Sequence, residues 1–478
     1  MRRSIPFLGS PRRALLLLLL ISLGLRLAII FRGGQYFWAD ESRYGAAASA
    51  WDAWYHGHRH EALLLIAGTA DHLGFKALML APAWLQIKTG ATTAQPACLL
   101  ALFSVANIFW VWLLARRMGA DEREALWSAA AMAAAASMFY WTRHLMPYDV
   151  ALFWALACTY VAVKPRPGFL DSWLAGILGF AAFVTYNGYW VLVACALTTH
   201  VLLALPGWLE ALKRAFFGLL GLAGTFLLML FGALHFGIYL LVSYLDFSGS
   251  INQGDFREGH IVFFDYLWQV EHLTALIWVA ALLAFGWLVL RAEGRARRRG
   301  GVWIAIIVAV AIILVVGSNV MEKFVVYGRL ARQVVPFCAL LTGWTAAQLF
   351  RGRAPWGRVE QVALAVMLAG GGWSLSVPLR QEFPATFHRK EVAAMEAYRV
   401  LHAREGPVAT APGRFRLLYD GFLWPDPGEP LLPAHYETLL ASPHPLAWRP
   451  YLYEGFNHEQ RKKFEATDIT MRLVLLKD

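Results

Sequence analysis

Long apolar runs separated by short basic segments are the feature that most constrains this chain. Hydrophobic residues make up 58% of its 478 residues, and charged residues make up only 16%. A soluble domain does not need that much apolar surface. Each long run can cross the hydrocarbon core of a bilayer, roughly 30 Å thick, as a helix. The sequence therefore predicts a polytopic α-helical membrane protein.

The runs predict about eleven crossing helices. Their approximate bounds are 14–32, 96–115, 124–141, 150–163, 170–186, 189–205, 215–242, 270–290, 302–317, 334–350 and 359–377. The first run contains Arg26 and lacks a small-residue cleavage site, so it is expected to be a retained signal anchor. The apolar stretch 75–87 is too short to cross, and we expect it to lie along the interface within the first external segment, 33–95.

The formal net charge of +11 does not indicate nucleic-acid binding, because the basic residues lie in short segments between apolar runs. This distribution follows the positive-inside rule and places those segments and the N-terminus on the cytoplasmic side. The clusters are Arg2/Arg3/Arg12/Arg13, Arg116/Arg117/Arg123, Lys164/Arg166, Lys213/Arg214, Arg295/Arg297/Arg298/Arg299 and Arg351/Arg353/Arg358. The four cysteines lie in apolar runs without the spacing of a metal site, and we interpret them as small core residues.

The composition changes after the last predicted crossing. The final hundred or so residues have ordinary charge content and many prolines, and the predicted topology puts them on the external side. An amphipathic helix is predicted over about 388–402, and short strands are predicted at 408–410 and 471–475. These elements predict a small soluble α/β or α+β domain over residues 381–478.

Two adjacent carboxylates, Asp40 and Glu41, follow the first predicted helix at the external edge of the membrane. Charges at this depth cost several kcal/mol if they tilt inward without partners, so the pair is a functional candidate. A solvated loop is the alternative interpretation. The predicted topology brings further ionisable residues to the same face. They are Arg43, His72, Lys76, Arg143, His144, Asp149, Arg329 and Arg332.

Each of these residues also has a structural interpretation when it is taken alone. Arg143 could anchor to lipid phosphate, and Asp149 could be the N-cap of the fourth predicted helix. Arg329 and Arg332 are three residues apart, so they could face one direction on a helix or simply snorkel. The convergence of carboxylates and arginines on one face, under a soluble domain, is what favours a functional site.

Four segments carry a resemblance to a known family. They are Asp40–Tyr44 after the first helix, Pro96–Met118 with its basic exit, Thr142–Asp149 entering the fourth helix, and Gly328–Pro336 before the tenth. In these segments and in its topology, the chain over about 10–380 resembles the GT-C glycosyltransferases. The closest resemblance is to the bacterial glycosyltransferase 39/83-like family, which is related to protein O-mannosyltransferases and the lipid A aminoarabinose transferase. Two segments depart from the family pattern: Asp71–Lys76 replaces a His/Lys-Pro-Pro stretch, and Thr185–Gly188 replaces Thr-Lys-Gly.

The resemblance implies a GT-C-type transmembrane catalytic domain over 1–380 in a bacterial inner membrane. It implies transfer of a sugar from a polyprenyl-phosphate donor to a cell-envelope acceptor on the periplasmic face, where the acceptor is a glycolipid such as lipid A, a polysaccharide or a protein. Asp40 is the expected general base, with Glu41 orienting it or the acceptor. Side chains of adjacent residues diverge, which favours an inverting over a retaining mechanism. Asp149 is expected to support substrate binding or to orient an arginine.

The leaving lipid phosphate requires cations, and arginine forks suit phosphate oxygens. Arg329 and Arg332 are the first candidates. The other candidates for phosphate or sugar contacts are Arg43, Tyr44, His72, Lys76, Arg143 and His144. No cofactor is required, and a divalent cation stays an open alternative because no ligand spacing demands one.

A transporter or flippase for lipid-linked sugars is the second interpretation. It predicts charged or broken helices near the middle of the membrane and an internal repeat. The central stretches of the predicted helices are nearly free of ionisable residues, and no repeat is visible. A non-catalytic sensor or assembly factor is the third interpretation, and it leaves the cluster of Asp40, Glu41, Asp149 and the arginines unexplained.

Overall fold

The computed structural model is that of a helical membrane protein. It describes residues 10–32, 42–89, 94–140, 145–251, 259–319, 328–352, 356–381, 394, 397–398, 400–401, 415–419, 436–445 and 468–477. Within this part of the chain, five helices are long and apolar enough to cross a bilayer. They are Pro11–Phe31, Pro96–Arg117, Trp208–His235, Leu273–Arg291 and Gly294–Gly317.

Helices dominate the part of the chain that the structure describes. In chain order they are α1 Pro11–Arg32, α2 Ser42–Tyr55, α3 Arg59–Ala67, α4 Leu73–Thr89, α5 Ala94–Arg117, α6 Glu122–Ala133, α7 Ala136–Tyr140, α8 Tyr148–Ala162, α9 Phe169–Thr185, α10 Trp190–Leu202, α11 Trp208–His235, α12 Leu240–Ile251, α13 Gly259–Glu271, α14 Leu273–Arg291, α15 Gly294–Asn319, α16 Val335–Leu349 and α17 Arg358–Gln381. Two 3₁₀ segments, Asn187–Tyr189 and Gly328–Val334, precede α10 and α16.

The core of the bundle surrounds α16. This helix is buried along nearly its whole length, from Val335 to Ala346, and it packs against α6, α14 and α15. By contrast, α11 exposes many large apolar side chains, including Leu228 and Phe231. An apolar outward face is what a helix needs where its surroundings are lipid.

The third predicted crossing helix, 124–141, is not continuous, and this expectation is wrong. Helix α6 ends before Ala134, and α7 begins after a two-residue interruption. Side chains from distant helices compensate for the lost helical hydrogen bonds. The Glu271 carboxylate accepts the backbone N–H groups of Ala136 (2.7 Å) and Ser137 (3.0 Å), and the Thr274 hydroxyl donates to the Ala134 carbonyl (3.3 Å).

Two predicted loops are partly helical. The segment between the predicted helices 215–242 and 270–290, expected to be an external loop, contains most of α12 and α13. Phe263, Tyr266 and Val270 of α13, at helical spacing, are buried in the main core. The basic cluster expected before the helix at 302–317 lies within the first turns of α15.

The segment between α1 and α5 contains three helices, one of which, α4, covers the predicted interfacial stretch 75–87. Helix α2 packs on both α3 and α4. The indole N–H of Trp51 donates to the Leu80 carbonyl (2.7 Å), and Ala47 and Ala50 of α2 are buried. Small residues at this spacing let α2 lie close to its neighbours.

The described residues near the C-terminus form a three-stranded antiparallel sheet. Its strands are β1 Phe415–Tyr419, β2 Tyr436–Pro445 and β3 Asp468–Leu476, in the order β1-β3-β2. The predicted strand 471–475 lies in β3, whereas 408–410 lies outside the described residues. Ala394 and Tyr398, both helical, pack against Leu475.

Candidate functional site

A buried ion pair between Asp149 and Arg332 anchors the candidate site. Asp149 lies in the first turn of α8, and Arg332 lies in the 3₁₀ segment Gly328–Val334. The Arg332 Nη2 atom is 2.5 Å from Asp149 Oδ1, and the two side chains are 0% and 3% exposed. The predicted N-cap role of Asp149 is wrong, because Pro147 is the N-cap residue of α8 and the Asp149 side chain pairs with Arg332 instead.

Arg332 uses only part of its hydrogen-bonding capacity. Apart from Asp149, its Nη2 atom contacts the sulfur of Met138 (3.5 Å). Its Nε and Nη1 atoms are buried and have no hydrogen-bond partner among the described residues. A buried donor without a partner costs about 1–3 kcal/mol, and more when the group is charged. Two donors of the guanidinium are therefore not used by the described residues.

Aromatic side chains form one wall of the site. The Arg332 guanidinium lies 5.8 Å from the centroid of the Tyr148 ring. The ring centroids of Tyr148 and Tyr186 are 5.0 Å apart, and those of Tyr186 and Tyr189 are 5.8 Å apart. Tyr189 is fully buried, and its hydroxyl also has no partner within the described part of the chain.

The segment Thr185–Gly188 fixes the position of the 3₁₀ segment that carries Arg332. The Gln333 amide donates to the Gly188 carbonyl (3.1 Å) and accepts the Leu192 backbone N–H (3.0 Å). A Cβ atom at Gly188 would lie 2.6 Å from the nearest side-chain atom of Leu330. A larger residue here would require the side chain of Leu330 or Tyr186 to shift. The segment is thus packed directly against the neighbours of Arg332.

His72 and Lys76 reach the same region from α4 and the turn before it. The His72 ring centroid is 5.0 Å from that of Tyr186, and its Nδ1 atom is 3.4 Å from Asp71 Oδ1. The Lys76 ammonium donates to the Thr69 hydroxyl (2.7 Å). Both side chains are buried, at 5% and 4% exposed. The aromatic wall therefore connects His72 to the Asp149–Arg332 pair.

The remaining predicted site residues are described only in part or not at all. Asp40, Glu41, Arg143 and His144 lie outside the described residues. For Arg43 and Tyr44 the structure gives a backbone position in α2, and for Arg329 a position in the segment Gly328–Val334.

Sequence reasoning missed two buried charges beside the pair. Arg26 of α1 is fully buried, donates to the Ser104 hydroxyl (3.0 Å) and to two backbone carbonyls, and lies 3.9 Å from the Phe139 ring centroid. Glu271, also fully buried, accepts the backbone N–H groups at the start of α7. Arg26 interrupts an apolar run, which is the signal that could have identified it as a candidate, whereas Glu271 lies at the edge of one.

Four buried charges lie around the short helix α7. Arg26 donates to the Met138 carbonyl and Arg332 contacts the Met138 sulfur, while Glu271 accepts the backbone N–H of the neighbouring Ser137. We call Arg26, Asp149, Glu271 and Arg332 the buried charge cluster. When all four side chains are ionised, the two guanidinium groups and two carboxylates sum to a net charge of zero.

The residues that the structure describes contain no group of three or more His, Cys, Asp or Glu side chains placed to hold a metal ion.

No model of a known protein family matches the sequence, and no curated protein matches it.

Proposed function

We propose that this protein is an inverting GT-C-type glycosyltransferase of the bacterial inner membrane. It takes a sugar from a polyprenyl-phosphate donor and transfers it to a cell-envelope acceptor on the periplasmic face: a glycolipid such as lipid A, a polysaccharide or a protein. About eleven crossing helices form its catalytic domain, and a small periplasmic α/β or α+β domain follows.

The observation that carries this proposal is the state of Arg332. This guanidinium is completely buried, yet it uses one nitrogen on Asp149 and leaves Nε and Nη1 without described partners. Arginine presents several donors in a planar fork that matches phosphate oxygens. Tyr148 and Tyr186 pack beside it and shield the guanidinium from water.

The reaction assigns one role to each part of the site. An acceptor hydroxyl attacks the anomeric carbon, its proton passes to the Asp40 carboxylate, and the bond between that carbon and the phosphate oxygen breaks. Arg332, oriented by Asp149, holds the charge that develops on the leaving phosphate. Arg329, Lys76 and His72 are the further phosphate or sugar contacts.

Mass spectrometry of cell-envelope glycolipids tests the proposal. Cells that carry the wild-type chain should contain a sugar-modified species that cells without it lack. Asp40→Asn should abolish that species while the protein still inserts at the wild-type level. Asp52→Asn is the matched control, because Asp52 is an exposed acid on α2 of the same segment. Sugar transfer that survives Asp40→Asn and Glu41→Gln together contradicts the catalytic assignment.

A transporter of lipid-linked sugars is the second candidate, and one observation favours it. The interruption between α6 and α7, with Arg26 and Glu271 buried nearby, provides the broken helix and buried charges that such a protein requires. Reconstituted vesicles separate the two functions. A transporter moves the labelled lipid-linked sugar to the other leaflet intact, whereas a transferase releases polyprenyl phosphate and labels an acceptor.

A further inference from the structure

The buried charge cluster contains two charges that bind no ligand themselves. Both oxygens of Glu271 accept backbone N–H groups, and its backbone carbonyl accepts the Ser374 hydroxyl (2.6 Å). The three guanidinium nitrogens of Arg26 donate to Ser104, Ser22 and Met138. Both side chains are 0% exposed. They are therefore fully engaged with the protein, unlike Arg332.

These two side chains still act on Arg332 through their charge. A unit charge in a protein interior interacts over many ångströms, because little water is present to screen it. Glu271 makes the potential at Arg332 more negative, and Arg26 makes it more positive. An incoming phosphate meets the sum of these potentials together with that of Asp149.

We propose that Glu271 is a positioning residue that, balanced by Arg26, sets how tightly Arg332 holds the phosphate of a polyprenyl phosphate. This inference rests on the proposed function. With the cluster at net zero charge, the phosphate binds well enough to react and weakly enough to leave as product. Without Glu271 the cluster would carry a net positive charge and retain the product.

The location of Glu271 supports a role beyond capping. It contacts the start of α7, and the sulfur of Met138 in the same short helix contacts Arg332. An uncharged side chain also stabilises the interruption before α7, because the Thr274 hydroxyl donates to the Ala134 carbonyl. Glu271 and Arg332 are thus linked through neighbouring residues of α7, Ser137 and Met138.

Equilibrium binding of polyprenyl phosphate to the purified full chain in phosphatidylcholine nanodiscs at pH 8 tests the inference. Glu271→Gln should bind the lipid phosphate on the order of tenfold more tightly than the wild type. Its turnover in sugar transfer should fall by a similar factor, because product release slows. Arg26→Gln should weaken binding by a comparable factor, although Arg26 makes no contact with the ligand.

Thr274→Val and Ser374→Ala are the matched controls. Each removes one neutral hydrogen bond near the same break and leaves all four charges in place. Their affinity for polyprenyl phosphate should equal that of the wild type. Glu271→Asp keeps the charge and should also bind within about threefold of the wild type.

The outcomes separate this inference from the function on which it rests. Unchanged or weaker binding by Glu271→Gln, beside normal wild-type binding, overturns the role of Glu271 and leaves the transferase proposal standing. If Glu271→Gln does not fold, Arg26→Gln serves as the test instead. Binding of polyprenyl phosphate by Arg26→Gln with wild-type affinity would also overturn the proposed role of Glu271. If the wild type binds no polyprenyl phosphate, both proposals are wrong. Tighter binding by Thr274→Val would show that loosening the break, and not charge, controls affinity.

Discussion

Both ends of the helical bundle contain buried arginine–carboxylate pairs, but the pairs differ in how many hydrogen bonds their side chains make. At the end where the basic clusters lie, Arg123 binds Glu360 through two hydrogen bonds of 2.6 Å each. The carboxylate also accepts the Trp127 indole N–H (2.8 Å) and the Trp356 backbone N–H (2.7 Å). We call this end the basic end.

A second pair at the basic end follows the same pattern. Arg299 binds Glu124 through two hydrogen bonds (2.7 and 3.1 Å) and donates to the Gly119 carbonyl (3.1 Å). None of these side chains has a buried nitrogen or oxygen without a partner in the described part of the chain. They join α6 to α15 and α17, and a pair with so many partners is a structural tie.

At the opposite end, Arg332 makes one contact with the Asp149 carboxylate, and two of its buried nitrogens have no described partner. Burial and ion pairing are common to the two ends, so neither of them distinguishes Arg332 from Arg123 and Arg299. What differs is that Arg332 has two buried nitrogens without described partners, whereas Arg123 and Arg299 have none; Arg117 at the basic end has one, Nε. Under the proposed function, this difference separates a ligand-binding arginine from those that tie helices together.

Arg123→Met should give the largest change in stability. It leaves the carboxylate of Glu360, 1% exposed, without its guanidinium partner, and breaking such a pair costs about 3–5 kcal/mol. Denaturation of the purified protein in detergent measures this loss. Sugar transfer per folded molecule should stay at the wild-type level, because the pair lies at the other end of the bundle. A loss of transfer without a loss of stability would contradict the assignment of this end as structural.

Arg332→Met should give the largest loss of sugar transfer. Transfer should fall by roughly 10²–10³-fold, because a preorganised donor for the developing phosphate charge is lost. Mass spectrometry of the modified glycolipid in cells measures it, with Arg123→Met as the control for an arginine that also pairs with a buried carboxylate but is itself 14% exposed. Because the substitution also leaves Asp149 unpaired, Arg332→Met/Asp149→Asn is needed as a second variant. Should that folded double variant transfer sugar normally, Arg332 is not a phosphate ligand.

Gly188→Ala should give a smaller effect on the same site. The added Cβ would lie 2.6 Å from Leu330 and 2.8 Å from the Tyr186 ring, so it displaces the segment that carries Arg332. Overpacking of this kind costs about 1–3 kcal/mol, and we expect transfer to fall about tenfold because orientation is sensitive to small shifts. Gly224→Ala, on α11 with nothing within 4 Å, is the control and should leave transfer unchanged. Equal effects of the two substitutions would show that the position of the segment is unimportant.

The features of the fold that local physics determines could be predicted from the sequence. The predicted helices 14–32 and 96–115 correspond closely to α1 and α5, because bilayer thickness and flanking arginines set their lengths. The break between α6 and α7 could not be predicted. It lies in an alanine-rich stretch without Pro or Gly, where propensity favours an uninterrupted helix. Partners from α13 and α14, more than a hundred residues away, hold it open.

The candidate site, like the fold, could be predicted from the sequence only in part. Topology alone assigned Asp149 and Arg332 to one membrane face, and the structure places them in contact. The spare nitrogens of Arg332 could not be foreseen, because they depend on which side chains fail to reach it. Glu271 was missed because it lies at the edge of an apolar run, where an acid usually reaches water.

Arg12→Gln should give the smallest effect. It compares an exposed arginine–glutamate pair of the basic end with the buried pairs of the same end. Arg12 also pairs with a glutamate at the basic end, Glu122, but at 3.4 Å and with its own side chain 80% exposed. Water screens such a pair, so we expect the free energy of unfolding to change by less than about 0.5 kcal/mol. The same denaturation measurement that detects Arg123→Met should find Arg12→Gln close to the wild type. If Arg12→Gln were as destabilising as Arg123→Met, the stability of the basic end would depend on its total charge, and the hydrogen-bond pattern would no longer distinguish its pairs from the Asp149–Arg332 pair.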